Sequence, residues 1–135
     1  MGYKIDEIEG IGPVYAEKLS GAGITTTDDL LAKCGAKKGR KETAEASGCS
    51  EKQLLEWANM ADLMRIKGVG SEFSELLEAA GVDTVKELAT RNAANLAAKM
   101  EEVNGEKKLT RAVPSESQVE GWVSEAKGLD PMISH

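Results

Sequence analysis

Histidine is all but missing from this chain, the only one being His135, the last residue. No internal imidazole is available as a general base or metal ligand, which excludes the commonest hydrolase and metalloenzyme arrangements. Cysteine is scarce too. Cys34 and Cys49 are too few for a disulfide framework and fit no common zinc spacing, so both read as buried or incidental thiols, and no metal or other cofactor is expected. No apolar run approaches the ~18 residues that span a bilayer. The opening MGYKIDEIEG lacks the basic-then-apolar pattern of a signal peptide, so the expectation is a cytoplasmic protein without membrane contact. Strand-type alternation is missing throughout, which points to an all-α fold. Positive charge is also short: 17 basic against 23 acidic residues leave a net charge of -6 and a pI near 4.9. That balance is the opposite of what coats nucleic acid.

What is present is repetition. At 135 residues and 14.4 kDa, with 41% apolar and 30% charged residues, the composition is that of one globular, cooperative domain. Within it, EGIGPVYAEKLSGAGITTTDDL aligns with KGVGSEFSELLEAAGVDTVKEL at an offset of 58, which pairs Gly10 with Gly68, Gly12 with Gly70, Leu19 with Leu77, Gly23 with Gly81 and Thr26 with Thr84. Farther on, SEKQLLEWANMA aligns with SESQVEGWVSEA at an offset of 65, pairing Trp57 with Trp122, so the second copy holds seven extra residues between its matching blocks.

Local chemistry explains each block. Pro13 suits the first position of a helix, Gly12 allows the tight turn before it, and Gly21 and Gly23 can supply a left-handed end. Thr26 with Asp29, Thr84 with Glu87, Ser50 with Gln53 and Ser115 with Gln118 all read as capping boxes. Behind the serines, Leu54, Trp57, Ala58 and Ala61, and likewise Val119, Trp122, Val123 and Ala126, recur at helical spacing, so both tryptophans face a core. Residues 40–47 and 93–104 are expected to be helical, the latter from Leu96, Met100 and Val103. Residues 34–39, 104–113 and the stretch after Gly128 read as coil, with 130–135 a flexible tail.

The run Ile5, Ile8, Gly10, Ile11, Gly12, Pro13, Ala16 and Leu19 resembles the helix-hairpin-helix motif of nucleic-acid-binding and repair proteins, and Leu63, Ile66, Gly68, Val69, Gly70 and Leu77 repeat it. Taken over about residues 3–129, the chain resembles the family known as domain of unknown function 4332. The resemblance implies a single all-α domain of two tandem helix-hairpin-helix repeats, about 3–60 and 61–129, of the SAM-like kind. In similar hairpins of repair enzymes, backbone carbonyls also hold a monovalent cation.

In such a hairpin the small residues let a phosphate approach the backbone, and the next helix opens with unpaired N–H groups at the positive end of its dipole. Ile11 or Val69 anchors the turn. The contact grips phosphodiester without reading bases, so binding would be independent of sequence. Local charge matters most, because the screening length at physiological salt is about 8 Å. From Lys4 to Lys18, two lysines face Asp6, Glu7, Glu9 and Glu17; from Asp62 to Leu76, Arg65 and Lys67 face Asp62, Glu72 and Glu75. The second hairpin, with Lys67 before its glycines and Ser71 as a hydroxyl donor, is the better phosphate site. The candidate DNA-binding set is therefore Arg65, Lys67, Gly68, Val69, Gly70 and Ser71, then Gly10, Ile11, Gly12 and Lys18. It is extended by basic clusters at Lys37, Lys38, Arg40 and Lys41 and at Lys107, Lys108 and Arg111.

Plainer readings stand beside these. The glycine pairs also serve as tight turns between packed helices, the basic clusters as solvated loops, and Tyr15 and Phe73, which share a repeat position, as packing residues. No cofactor motif, nucleophile setting or cleft-sized architecture argues for an enzyme. Two functions remain: a weak, sequence-independent nucleic-acid binder, and an adaptor whose acidic helical face docks a partner protein or a second copy.

Overall fold

The computed structural model describes residues 2–135, and it is all-helical. A 3₁₀ turn over Ile5–Glu7 precedes α1 (Pro13–Gly21), α2 (Thr27–Cys34), α3 (Lys37–Ser47), α4 (Glu51–Leu63), α5 (Ser71–Ala79), α6 (Val85–Leu88), α7 (Ala93–Lys107) and α8 (Glu116–Lys127). An isolated antiparallel bridge between Lys4 and Thr26 is the only extended pairing among the described residues. None of their helices is long and apolar enough to cross a membrane.

The helices begin where side chains can satisfy orphan amides. Thr26 Oγ1 accepts the Asp29 N–H at 3.1 Å while Asp29 Oδ2 accepts the Thr26 N–H at 3.2 Å, and Ser50 with Gln53 and Ser115 with Gln118 close the same reciprocal box. Thr84 completes only half of it. Its hydroxyl accepts the Glu87 N–H at 3.3 Å, but Glu87 turns away to Arg91, 2.9 Å from its guanidinium. The α6 start is instead held by Asp62, 1% exposed, whose carboxylate accepts the Val85 N–H at 2.8 Å. In the first half the corresponding Thr27 N–H goes to the Tyr3 carbonyl at 2.9 Å.

Residues 58 apart make the same bonds. The Ile11 N–H donates to the Ile8 carbonyl at 3.1 Å and Val69 to Ile66 at 3.0 Å; Ile24 reaches Leu19, and Val82 reaches Leu77, each at 2.9 Å. Gly10 and Gly68 have φ of 93° and 90°, a left-handed backbone that a side chain would strain. Tyr15 lies against Trp57 with ring centroids 5.1 Å apart, and Phe73 against Trp122 at 5.2 Å.

Two apolar clusters result. Ile5, Ile8, Leu19, Ile24, Leu30, Leu54 and Trp57 build the first; Leu63, Ile66, Val69, Leu77, Val82, Leu88, Leu96, Met100, Val119 and Trp122 build the second. They meet along α4, where Met60 and Ala61 belong to the first and Leu63 to the second. Each fully buried aliphatic or aromatic side chain contributes about 1.5–3 kcal/mol of transfer free energy.

Two stretches read as coil are shorter than expected. Only Gly35 and Ala36 separate α2 from α3, and α7 continues through Lys107 before Lys108 takes a left-handed φ of 51°. The close spacing is possible because Gly39 packs on the backbone of Lys33, where a Cβ would overlap the carbonyl oxygen. It also buries Arg40, 3% exposed. Its guanidinium donates to the carbonyls of Cys34 at 3.0 Å and Gly35 at 2.9 Å, which end α2, and to Ser134 at 2.6 Å. Residues 130–135 form no helix but are tied back: Ser134 N–H donates to the Gly35 carbonyl at 2.8 Å, Arg65 donates to the Asp130 carbonyl at 2.8 Å, and Ile133 packs on the first cluster.

Because Arg40→Ala would leave three carbonyls without their charged donor, we expect it to lower the unfolding free energy by about 3 kcal/mol in urea titrations. An unchanged midpoint would show that the guanidinium does not hold the α2 end and the tail.

Candidate functional site

The turn at Gly68–Gly70 is set from below. Ile66 and Val69 are fully buried, and the Ile66 N–H bond to Leu63 at 3.1 Å and the Val69 bond to Ile66 at 3.0 Å curl the chain off the end of α4. Gly70 is the N-cap of α5, with extended backbone and no side chain to cap the helix, and its carbonyl accepts the first helical bond, from Ser74 at 2.9 Å. The Ser71 and Glu72 amides therefore have no helical acceptor and sit at the positive end of the α5 dipole.

A loop lies over this helix start. Asn104, near the end of α7, holds Thr110 by two bonds, accepting its N–H at 2.9 Å and donating to its carbonyl at 3.2 Å. Arg111 is thereby delivered to α5, with its guanidinium 3.8 Å from the Glu72 carboxylate. Arg111 is 94% exposed, so this pair is weak and open to exchange with another anion. Gly70, Ser71, Glu72, Phe73, Thr110, Arg111 and Ala112 line a cleft of about 320 Å³. The first turn has no such cover: α3 is joined to α4 through Gly48, Cys49 and Ser50 alone, and Val14, the counterpart of Glu72, is 66% exposed.

The fold thus gathers Gly70, Ser71 and Arg111 in one cleft, with exposed Lys67 and Gly68 just before Gly70 in the chain and exposed Lys107 and Lys108 at the root of the loop. It withdraws others. Arg65 is bound to Asp62 at 2.8 Å and to Asp130, and Arg40 is buried in the α2 end, so neither guanidinium is presented to a ligand. Lys37, Lys38 and Lys41 are exposed on α3, which packs against α1, α2 and α4, and Lys38 lines a separate cleft with Lys33 and Glu42. At the first turn Gly10 and Gly12 are exposed, Ile11 is buried, and Lys18 stands 5.6 Å from the Tyr15 ring centre.

Acidic groups also enter, one of them, Glu125, from a distant element for which the sequence carries no signal. Glu125 of α8 accepts the Lys67 N–H through both oxygens, at 3.2 and 3.3 Å. Burial pushes the half-buried Glu75 carboxyl above its ordinary pKa, and the charge of Glu9 adds to the shift. Glu78 keeps an exposed surface, yet loss of water at its carboxyl, followed by the charges of Asp83, Glu56 and Glu75, pushes it up as well. Asp29 moves the other way, held down by bonds from Thr25 and Thr26. Among the described residues no cluster of His, Cys, Asp and Glu could hold a metal ion.

The raised carboxyls bind protons more tightly in the folded chain than in the unfolded one. Their contribution therefore grows as pH falls through the carboxylate range and is lost as pH rises through the folded pKa. We expect Glu75→Gln to raise the melting temperature by a few degrees at neutral pH and to leave it unchanged near about pH 4, where the natural carboxyl is largely protonated. An equal gain at both pH values in thermal melts would exclude a charge origin.

A family model described as Domain of unknown function (DUF4332) matches residues 9–129. No curated protein and no solved structure matches the chain. The match runs from the first glycine turn through the end of the last helix, and on that basis the chain belongs to the DUF4332 family.

Proposed function

We propose that the chain is a tandem pair of helix-hairpin-helix units, about 3–60 and 61–129, acting as a non-catalytic module that binds nucleic acid weakly and without sequence preference through its second hairpin. Hydrogen bonds and left-handed glycines 58 residues apart, with the matching ring contacts of Tyr15 on Trp57 and Phe73 on Trp122, support the duplication. The observation that carries the function is the loop at residues 110–112. It brings an exposed, replaceable guanidinium to a helix start whose amides lack acceptors, and so assembles the two elements that grip a phosphodiester.

DNA is the expected ligand, held by its backbone and not by its bases. Lys67 and Arg111 are the principal cations, and Glu72 exchanges its partner when phosphate arrives. The first hairpin is the weaker site, because Glu9 stands where the second carries Lys67 and no loop contributes a cation. With so few contacts the affinity falls in the range ~10⁻⁴ to 10⁻⁶ M at physiological salt.

A second reading has its own support. Glu75 feels the charge of Glu9, and Glu78 those of Asp83, Glu56 and Glu75, an acidic surface suited to a basic partner protein.

For DNA of mixed sequence followed by fluorescence anisotropy, two cations neutralising two phosphates lead us to expect about a tenfold loss of affinity between about 50 and 200 mM salt. Lys67→Glu combined with Arg111→Glu should remove measurable binding, and changing the DNA sequence should not alter it. Binding that ignores salt and survives the double substitution overturns the reading. Capture of a basic protein from nuclease-treated extract, lost in Glu75→Lys with Glu78→Lys, would then establish the adaptor.

A further inference from the structure

Trp122 is 5% exposed and fills the space beneath the second hairpin, yet its indole nitrogen has no hydrogen-bond acceptor among the described residues. Among those residues Asn59 Oδ1 is the one fully enclosed side-chain polar atom without a partner, so the Trp122 Nε1–H is not sealed inside the protein. Its nitrogen lies by Gly68. A Cβ at that glycine would sit 3.5 Å from Nε1. Gly68 is exposed and has φ of 90°, so the turn crosses the indole edge with no side chain to cover the donor.

A buried aromatic normally finds a partner for its N–H, because an unpaired donor forgoes the hydrogen bond it would make in water. Here the donor lies by Gly68, two residues before the Gly70 cap whose helix presents its free amides. Phe73, which lines the cleft, packs on the same indole at 5.2 Å and fixes its orientation. The ring is rigid, and its donor is already positioned.

We propose that the Trp122 Nε1–H is a ligand-binding donor that takes a phosphate oxygen of the polynucleotide backbone at the second hairpin, together with the α5 amides and Arg111. This inference rests on the binding reading above and adds to it a residue whose packing conceals its role. Glu125, one turn farther along α8 and bonded to the Lys67 amide, is the acid that an incoming phosphate meets. Its carboxylate limits affinity at this corner. Trp57 has the same placement, its Nε1 also 3.5 Å from a Cβ position at Gly10. Glu9 directly precedes Gly10, where the second hairpin carries Lys67, so this donor is less suited to phosphate.

The chain has two tryptophans, so a ¹H–¹⁵N spectrum contains two indole N–H signals, assigned with Trp57→Phe and Trp122→Phe. Titration of the unaltered chain with short mixed-sequence duplex DNA should move the Trp122 signal and leave the Trp57 signal in place. Trp122→Phe, which keeps an aromatic ring against Phe73, should lose about tenfold in affinity, and Glu125→Gln should gain several-fold. A retained far-UV spectrum and an unmoved Trp57 signal would report that the variant is folded. If DNA binds with the salt dependence described above while the Trp122 signal stays still, the indole assignment is wrong and the hairpin reading stands. If no DNA binds even at low salt, both fall.

Discussion

The chain turns back on itself twice through left-handed glycines laid across the edge of a buried tryptophan, and the rest of the architecture depends on that contact. At Gly10 over Trp57 and at Gly68 over Trp122, the backbone approaches the indole closely because no Cβ intervenes. The tryptophan comes from a helix distant in sequence, so the contact closes each half: it joins α1 to α4 and α5 to α8 and buries Tyr15 or Phe73 against the same ring. A glycine turn without the indole would lack a floor. An indole without the glycine would be covered.

On this shared frame the two halves differ in what they present. The first joins α3 to α4 by a short link and leaves Val14 in solvent, whereas the second lengthens α7, reverses at Lys108 and lays Thr110 and Arg111 over the helix start. The cleft thus comes from the longer connection between α7 and α8. The same divergence appears in how a helix amide is satisfied, by the Tyr3 carbonyl in one half and by the buried Asp62 carboxylate in the other. Asp62 also holds Arg65, which holds the tail at Asp130, so a charge that looks available in the sequence is consumed in joining elements.

Overall charge is a poor guide to such a molecule. A net charge of -6, spread over α1 to α8 and the first turn, coexists with a corner where Arg111 lies beside unpaired amides. Acids reach into that corner as well: Glu125 accepts the Lys67 N–H and Glu72 pairs with Arg111.

Much of the local structure was legible in the residues alone. Pro13 opening α1, Thr26 and Ser50 as caps, the buried faces around Leu96 and Val119, and both glycine turns follow from chemistry within a few positions of each residue. Other features needed the tertiary structure. Arg40 is read as a surface cation until the fold places three carbonyls around it, and Glu87 as half of a box until Arg91 claims it. Glu125 lies 58 positions from the amide it binds. Helical period and capping are set by neighbours along the chain, so sequence determines them; whether a charge is spent, a donor uncovered or a loop laid over a helix start depends on groups that only folding brings together.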